Sequence, residues 1–178
     1  ISTDLGFIVG PRLNAAGRIE DMSIGIECLL ADEPELAMRY ATTLERLNSE
    51  RRHIETKMRD QAFAYVDAMD NRNLPACVCI YDESWHQGIV GLIASRVCER
   101  THHPVIAFAR GSGSELKGSA RSIPGVHIHD LLESIATIYP DLISKFGGHA
   151  MAAGLSLPEK YFSKFSDCAS KQVKRLYP

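Results

Sequence analysis

No apolar run in the 178-residue sequence approaches the roughly 18 residues that a membrane-spanning helix needs, and no secretory leader is visible. That argues against a membrane role and predicts a cytoplasmic protein. Cysteine is scarce and odd in number: Cys28, Cys77, Cys79, Cys98 and Cys168 fall mainly in apolar contexts, as reduced core thiols do. Cys77 and Cys79 have no second pair with which to close a zinc site. A formal net charge of −2 excludes a generally basic coat, so any polyanion must be held by a local patch. The sequence contains no G-x-x-x-x-G-K-[ST] loop, no H-E-x-x-H and no G-x-S-x-G. It also lacks a cluster of aspartates and histidines able to cage a metal, and no metal-ligating residue is assigned. The chain can hold a phosphate, but the machinery to cut one is missing from it.

What is present organises into three parts. Residues 34–71 carry Leu36, Tyr40, Leu44, Leu47, Ile54, Met58, Tyr65 and Met69 at mostly helical spacings. Pro34 suits the first turn, and Asn71, Asn73 and Pro75 close the run. Such a helix would extend about 55 Å at 1.5 Å per residue. Its middle, RLNSERRHIE, is polar nearly all round, which predicts a bridge through solvent between two bodies. Residues 1–33 are too short to fold alone and hold GPRLNAAGR and a short helix, SIGIECLLA. The chain opens on Ile1 with residues that read like the middle of a folded unit, so a piece of a longer protein is expected. Residues 72–178 alternate strand, helix, strand, strand, helix, strand, helix, from ACVCIYD to KYFSKFSDCASKQVKRL. That pattern predicts a compact α/β domain with a mixed sheet flanked by helices.

Three stretches of this domain spend residues on something other than packing. In YDESWHQGIVGLIASR, a loop with His86 leads to Gly88, read as opening a helix whose unpaired N–H groups attract anions. The alternative is that Gly88 and Gly91 only allow close helix packing. In GSGSELKGSARSIPG, Ser119 and Arg121 alternate along a strand and point to one face. A hydroxyl beside a guanidinium can take separate oxygens of one phosphate, although a solvated hairpin would look the same. In KFGGHAMAAGLSL, Gly147 and Gly148 free two backbone N–H groups and His149 adds an imidazole; a tight turn before a strand is the plainer account. All three fall at ends of strands or helices of one sheet domain, where ligands gather. HIHD is read as a helix N-cap at His127 rather than a metal site, and His102 and His103 as a helix end before Pro104.

The three stretches, in this order, resemble the DHH-associated domain that follows the catalytic domain in the DHH phosphoesterase superfamily, whose signature is the run FGGHAMAAG. DLGFIVGPRLNAAGRIEDM, Asp4 to Met22, is similar to the end of the catalytic domain in the RecJ-type single-strand-specific exonucleases of that superfamily; WHQGIVGLIASR and GSARSI fit the same branch. The resemblance implies a remnant of the DHH catalytic domain over 1–33, a long connecting helix over 34–71 and a DHH-associated nucleic-acid-binding domain over 72–178. It implies a parent enzyme that removes nucleotides from the 5′ end of single-stranded DNA in recombination and repair, with Mn²⁺ or Mg²⁺. The Asp-His-His motif that holds those metals does not occur here, so this chain is expected to bind no metal and to be inactive alone. Ser119 and Arg121 would grip a phosphate near the 5′ end. His149, as the catalytic candidate, would with Gly147 and Gly148 face the scissile phosphate, and Arg12, Asn14 and Arg18 would line the other wall. His86 and Gly88 complete the phosphate-binding set. Single-stranded DNA is the implied ligand, with a single-strand-binding protein or a helicase as partners of the parent. Two other readings stay open: a phosphodiesterase for short oligonucleotides or cyclic dinucleotides, and a non-catalytic nucleic-acid-binding module like that appended to alanyl-tRNA synthetases.

Overall fold

A computed structural model of the chain describes residues 2–69 and 74–177, in two compact units that meet in sequence between Lys57 and Met58. The first unit is all-helical. A short α1 (Ser2–Asp4) runs through a π-wound turn, Leu5–Val9, into α2 (Gly10–Ile19), followed by α3 (Ser23–Leu30) and the first part of α4 (Pro34–Asp67). Pro11 sits in the first turn of α2, where its missing N–H is not needed. Ala15 and Ala16 are fully buried, and Ala16 packs with Leu44 and Leu47 of α4. The two alanines of GPRLNAAGR are thus explained by close helix packing.

The middle of α4 departs from expectation. Leu47 and Asn48 are fully buried, and Arg51 and Glu55 pair across one turn with side chains 14% and 16% exposed. The stretch is not solvated all round; its i, i+4 ion pair lets charged residues occupy a sheltered face. The regular helix ends at Asp67. The stop signal proposed at Asn71 and Asn73 lies outside the described residues.

The second unit holds the rest of α4, where Met58, Ala62 and Val66 are buried. It continues with β1 (Val78–Tyr81), α5 (Val90–Thr101), β2 (Val105–Arg110), β3 (Glu115–Arg121), α6 (Ile128–Ile138), β4 (Lys145–Gly148), β5 (Ala152–Pro158) and α7 (Phe162–Leu176). The strands form one mixed sheet in the order β1-β2-β3-β5-β4, parallel only between β1 and β2. This is the α/β class the alternation predicts, with one strand more. KFGG carries no strand period of its own, yet it pairs with β5 from Lys145↔Ser156 to Gly148↔Ala153. An edge strand has one partner to satisfy, so it forms without the alternation that marks half-buried strands.

The two faces of the sheet differ. One buries Ile106, Phe108, Leu116, Ala120, Leu155 and Leu157 against α6 and α7. Phe108 meets the Phe162 and Phe165 rings edge-on at 5.5 and 5.7 Å. By strand alternation the other face carries Lys117, Ser119 and Arg121 of β3, and α5 lies against β2 and β3. His127 caps α6 as predicted, its Nδ1 accepting the Asp130 N–H at 3.3 Å. His102 ends α5 in the left-handed region, with φ 55°.

Candidate functional site

Strand alternation sets Ser119 and Arg121 side by side, and the structure adds what holds them. Arg121 Nη1 donates to Ser119 Oγ at 3.1 Å and to the Ala120 carbonyl at 2.8 Å, while Nε donates to Ser95 Oγ of α5 at 3.2 Å. The first turn of α5 abuts the same pair. A Cβ on Gly91 would lie 3.0 Å from Arg121 Nη2 and 3.1 Å from Ser119 Oγ. The first turn of a helix thus abuts a hydroxyl and a guanidinium, and a hydroxyl beside a guanidinium suits a phosphate.

The glycine hairpin joins this site through the sheet. Ser119 pairs with Gly154 of β5, which pairs with Gly147 of β4, so the three form one row across the strands. Arg121 pairs with Ala152, whose carbonyl accepts the His149 N–H at 2.9 Å and closes the hairpin. The turn is tied down further: Ala150 and Met151 carbonyls accept the Ile128 and Ser122 N–H groups at 2.9 and 3.0 Å. His149 itself is exposed.

The two adjacent glycines are not equivalent. Gly148 has φ +147°, and a Cβ there would lie 2.4 Å from the Ala152 carbonyl oxygen and 2.5 Å from the Ala153 Cα. The fold itself requires that glycine. Gly147 has no such φ, and an added Cβ would meet nothing within 4 Å. The same is nearly true of Gly154, whose Cβ would meet only the Gly118 carbonyl oxygen, at 4.0 Å. Both are exposed. The sheet is bare over Gly147 and Gly154 without the chain needing it to be.

His86 and Gly88 lie just before α5, which begins at Val90 rather than at Gly88. His86 Nδ1 accepts the Gly88 N–H at 3.1 Å, which leaves the proton of a neutral ring on Nε2. The His86 carbonyl accepts the N–H groups of Ile89 and Val90 at 3.0 and 3.3 Å, so this loop closes the helix start.

Arg12, Asn14 and Arg18 lie on α2 in the first unit. Asn14 and Arg18, four residues apart, share a helix face, and Arg12 does not. Arg12 pairs with Glu45 of α4 through Nε and donates from Nη1 to the Ile8 carbonyl at 2.6 Å. These contacts give it a role inside its own unit.

A model of the DHHA1 domain matches residues 73–175. The chain belongs to the DHHA1 domain family. It is 51% identical to the single-stranded-DNA-specific exonuclease RecJ of Salmonella typhimurium over 166 residues, which are 92% of this chain and 29% of that relative. RecJ of Escherichia coli is 49% identical over the same shares. The crystal structure of Thermus thermophilus RecJ in complex with Mn²⁺ superposes with a TM-score of 0.85 at 29% identity, covering 99% of this chain and 25% of that one. The chain thus spans under a third of the length of the curated relatives it matches.

Within the DHHA1 unit, one group among the described residues brings His, Asp and Glu ligand atoms together: His129, Asp130 and Glu133, all within 4.8 Å of one another. They sit on α6, which covers the opposite face of the sheet from Ser119 and Arg121. This donor set does not fit a divalent-metal centre acting on a phosphate held at Arg121. Among the described residues no helix is long and apolar enough to cross a membrane.

Gly91 and Ser95, which lie against Ser119 and Arg121, carry no signal in the sequence that marks them. The period of two that paired Ser119 with Arg121 places Lys117 on the same face, and that signal was available. Gly91 and Ser95 reach the site only through helix-to-sheet packing, which no local pattern reports.

Proposed function

We propose that this chain is the strand-holding part of a RecJ-type exonuclease that degrades single-stranded DNA from its 5′ end in recombination and repair in the cytoplasm. Ser119 and Arg121 grip a phosphate near the 5′ end, with His86 and Gly88 beside the helix start. Gly147, Gly148 and His149 face the scissile phosphate, with His149 contributing to the reaction. Arg12, Asn14 and Arg18 contact phosphates and sugars of the entering strand. Mn²⁺ or Mg²⁺ is held by other residues of the longer protein, so this chain alone does not degrade DNA. A single-strand-binding protein or a helicase delivers the substrate. Phosphate contacts fix position without reading sequence, as a non-specific nuclease needs.

One observation carries this reading: Arg121 and Ser119 are packed against the first turn of α5, and Ser119 shares a cross-strand row with Gly154 and Gly147. Arg121→Ala tests it. Hydrogen bonds to charged groups contribute about 1.5–3 kcal/mol, so affinity for a 5′-phosphorylated oligonucleotide should fall roughly ten- to hundredfold. Fluorescence anisotropy on the chain measures this, and unchanged affinity in a folded variant refutes the assignment.

A further inference from the structure

We infer that a second nucleotide seat lies one step along the sheet from the Ser119–Arg121 pair, floored by Gly147 and Gly154 and walled by Lys117 and Lys145. The inference rests on the proposed function in taking single-stranded nucleic acid as the ligand, and it adds where the next nucleotide goes.

Lys117 of β3, Ser156 of β5 and Lys145 of β4 form a second row across the three strands, adjacent to the Ser119–Gly154–Gly147 row. Rows of one face are separated by two residues, about 6.7 Å along a strand. That advance is comparable to one step of an extended sugar–phosphate backbone. Between the two rows is an open groove of about 340 Å³ whose lining includes Lys117, Lys145, Gly147, Gly154 and Ser156. Neither floor glycine is explained by backbone strain or by internal packing. Any larger residue would stand up into the groove, so glycine at both positions keeps the backbone accessible to something outside the chain.

The walls match an anion. Lys117 Nζ is oriented by Ser156 Oγ at 2.9 Å and Glu115 Oε2 at 2.6 Å, and Lys145 is exposed at the edge strand. Glu115 offsets part of the Lys117 charge, which leaves Lys145 as the stronger phosphate contact. A sugar or a base lying flat on the bare sheet would bring its phosphate between the two amines. Bound this way, the strand runs from Arg121 towards Lys117 and Lys145.

The test compares two probes on the chain by NMR titration: 5′-phosphorylated thymidine and the 5′-phosphorylated trinucleotide of thymidine. Lys145→Ala should leave the mononucleotide affinity unchanged and weaken the trinucleotide about threefold or more. It should also lower the salt dependence of trinucleotide binding by about 0.7 in log–log slope, the value for one phosphate of a single strand. Gly154→Val should weaken the trinucleotide while keeping or raising the melting temperature, because a β-branched residue suits a strand and its space is open. Trinucleotide binding untouched by both variants, with Arg121→Ala still weakening both probes, overturns the seat and leaves the proposed function standing. Trinucleotide binding weakened by Lys145→Ala and Gly154→Val, with Arg121→Ala affecting neither probe, supports the seat and overturns the role of Arg121. No effect from any of the three overturns both. If Gly154→Val melts early, Lys145→Ala alone decides.

Discussion

Gly147 and Gly148 are neighbours of identical type, and replacing each with alanine should give opposite results. In Gly148→Ala the new methyl meets the Ala152 carbonyl oxygen at 2.4 Å and the Ala153 Cα at 2.5 Å. Those are backbone atoms of the paired strand, and the same Ala152 oxygen closes the hairpin by accepting the His149 N–H. Relief requires β4 and β5 to part or the turn to reopen. A backbone conformation that is nearly glycine-only adds about 1–3 kcal/mol for any other residue. The entropy lost by glycine on folding returns roughly 0.5–1 kcal/mol in favour of alanine. With the steric displacement included, a net loss of about 2–4 kcal/mol is expected, or roughly 6–12 °C in melting temperature at about 3 °C per kcal/mol. In Gly147→Ala only the entropy contribution operates, since the methyl meets nothing and φ is ordinary; stability should hold or rise by up to about 1 kcal/mol. Urea unfolding followed by circular dichroism separates the two. Equal destabilisation by both substitutions would refute the distinction between a glycine the fold requires and one it does not.

Gly91→Ala should fold normally, gaining up to about 1 kcal/mol of helix propensity. Its methyl crowds Arg121 Nη2 and Ser119 Oγ, however, so affinity for a 5′-phosphorylated oligonucleotide should fall about tenfold in anisotropy. Gly118→Ala should lower stability by about 1–3 kcal/mol in urea unfolding, because its Cβ would lie 2.5 Å from Phe108 Cε1 and 2.7 Å from Leu155 Cδ2 in a packed core. Iodoacetamide at neutral pH should label Cys28 first. A hydrogen bond with Cys79, then burial, pushes the Cys77 thiol well above its usual range, and burial raises that of Cys98. Peptide mass spectrometry reads the order, and early labelling of Cys77 would contradict the buried placement.

Much of the second unit is legible in its sequence because its elements obey simple periods. β1, β2, β3 and β5 are short apolar or alternating runs, and α5, α6 and α7 carry clear amphipathic stripes between turn residues. β4 is not legible, since KFGG owes its strand to a partner, not to its own preference. The middle of α4 misleads for a related reason. Its composition is polar, yet Asn48 is buried and Arg51 and Glu55 shelter one another. The site divides in the same way. Ser119 beside Arg121 follows from a period of two, whereas Gly91 beside both of them depends on how α5 packs on the sheet.

A sequence records that Gly147 and Gly148 lack side chains but not why, and here the reasons differ. At Gly148 the missing side chain is demanded by φ and by the returning strand, so a ligand need not be invoked. At Gly147, and across the strand at Gly154, a side chain would fit with no strain, so the vacancy is of no use to the folded chain itself. Glycine in a strand weakens it, and two such residues facing each other on an exposed surface weaken it twice. In the proposed reading, that open strip of backbone between Lys117 and Lys145 is where a bound strand would approach. A glycine whose absent side chain would meet nothing is therefore the better pointer to a bound strand than the one the hairpin cannot form without.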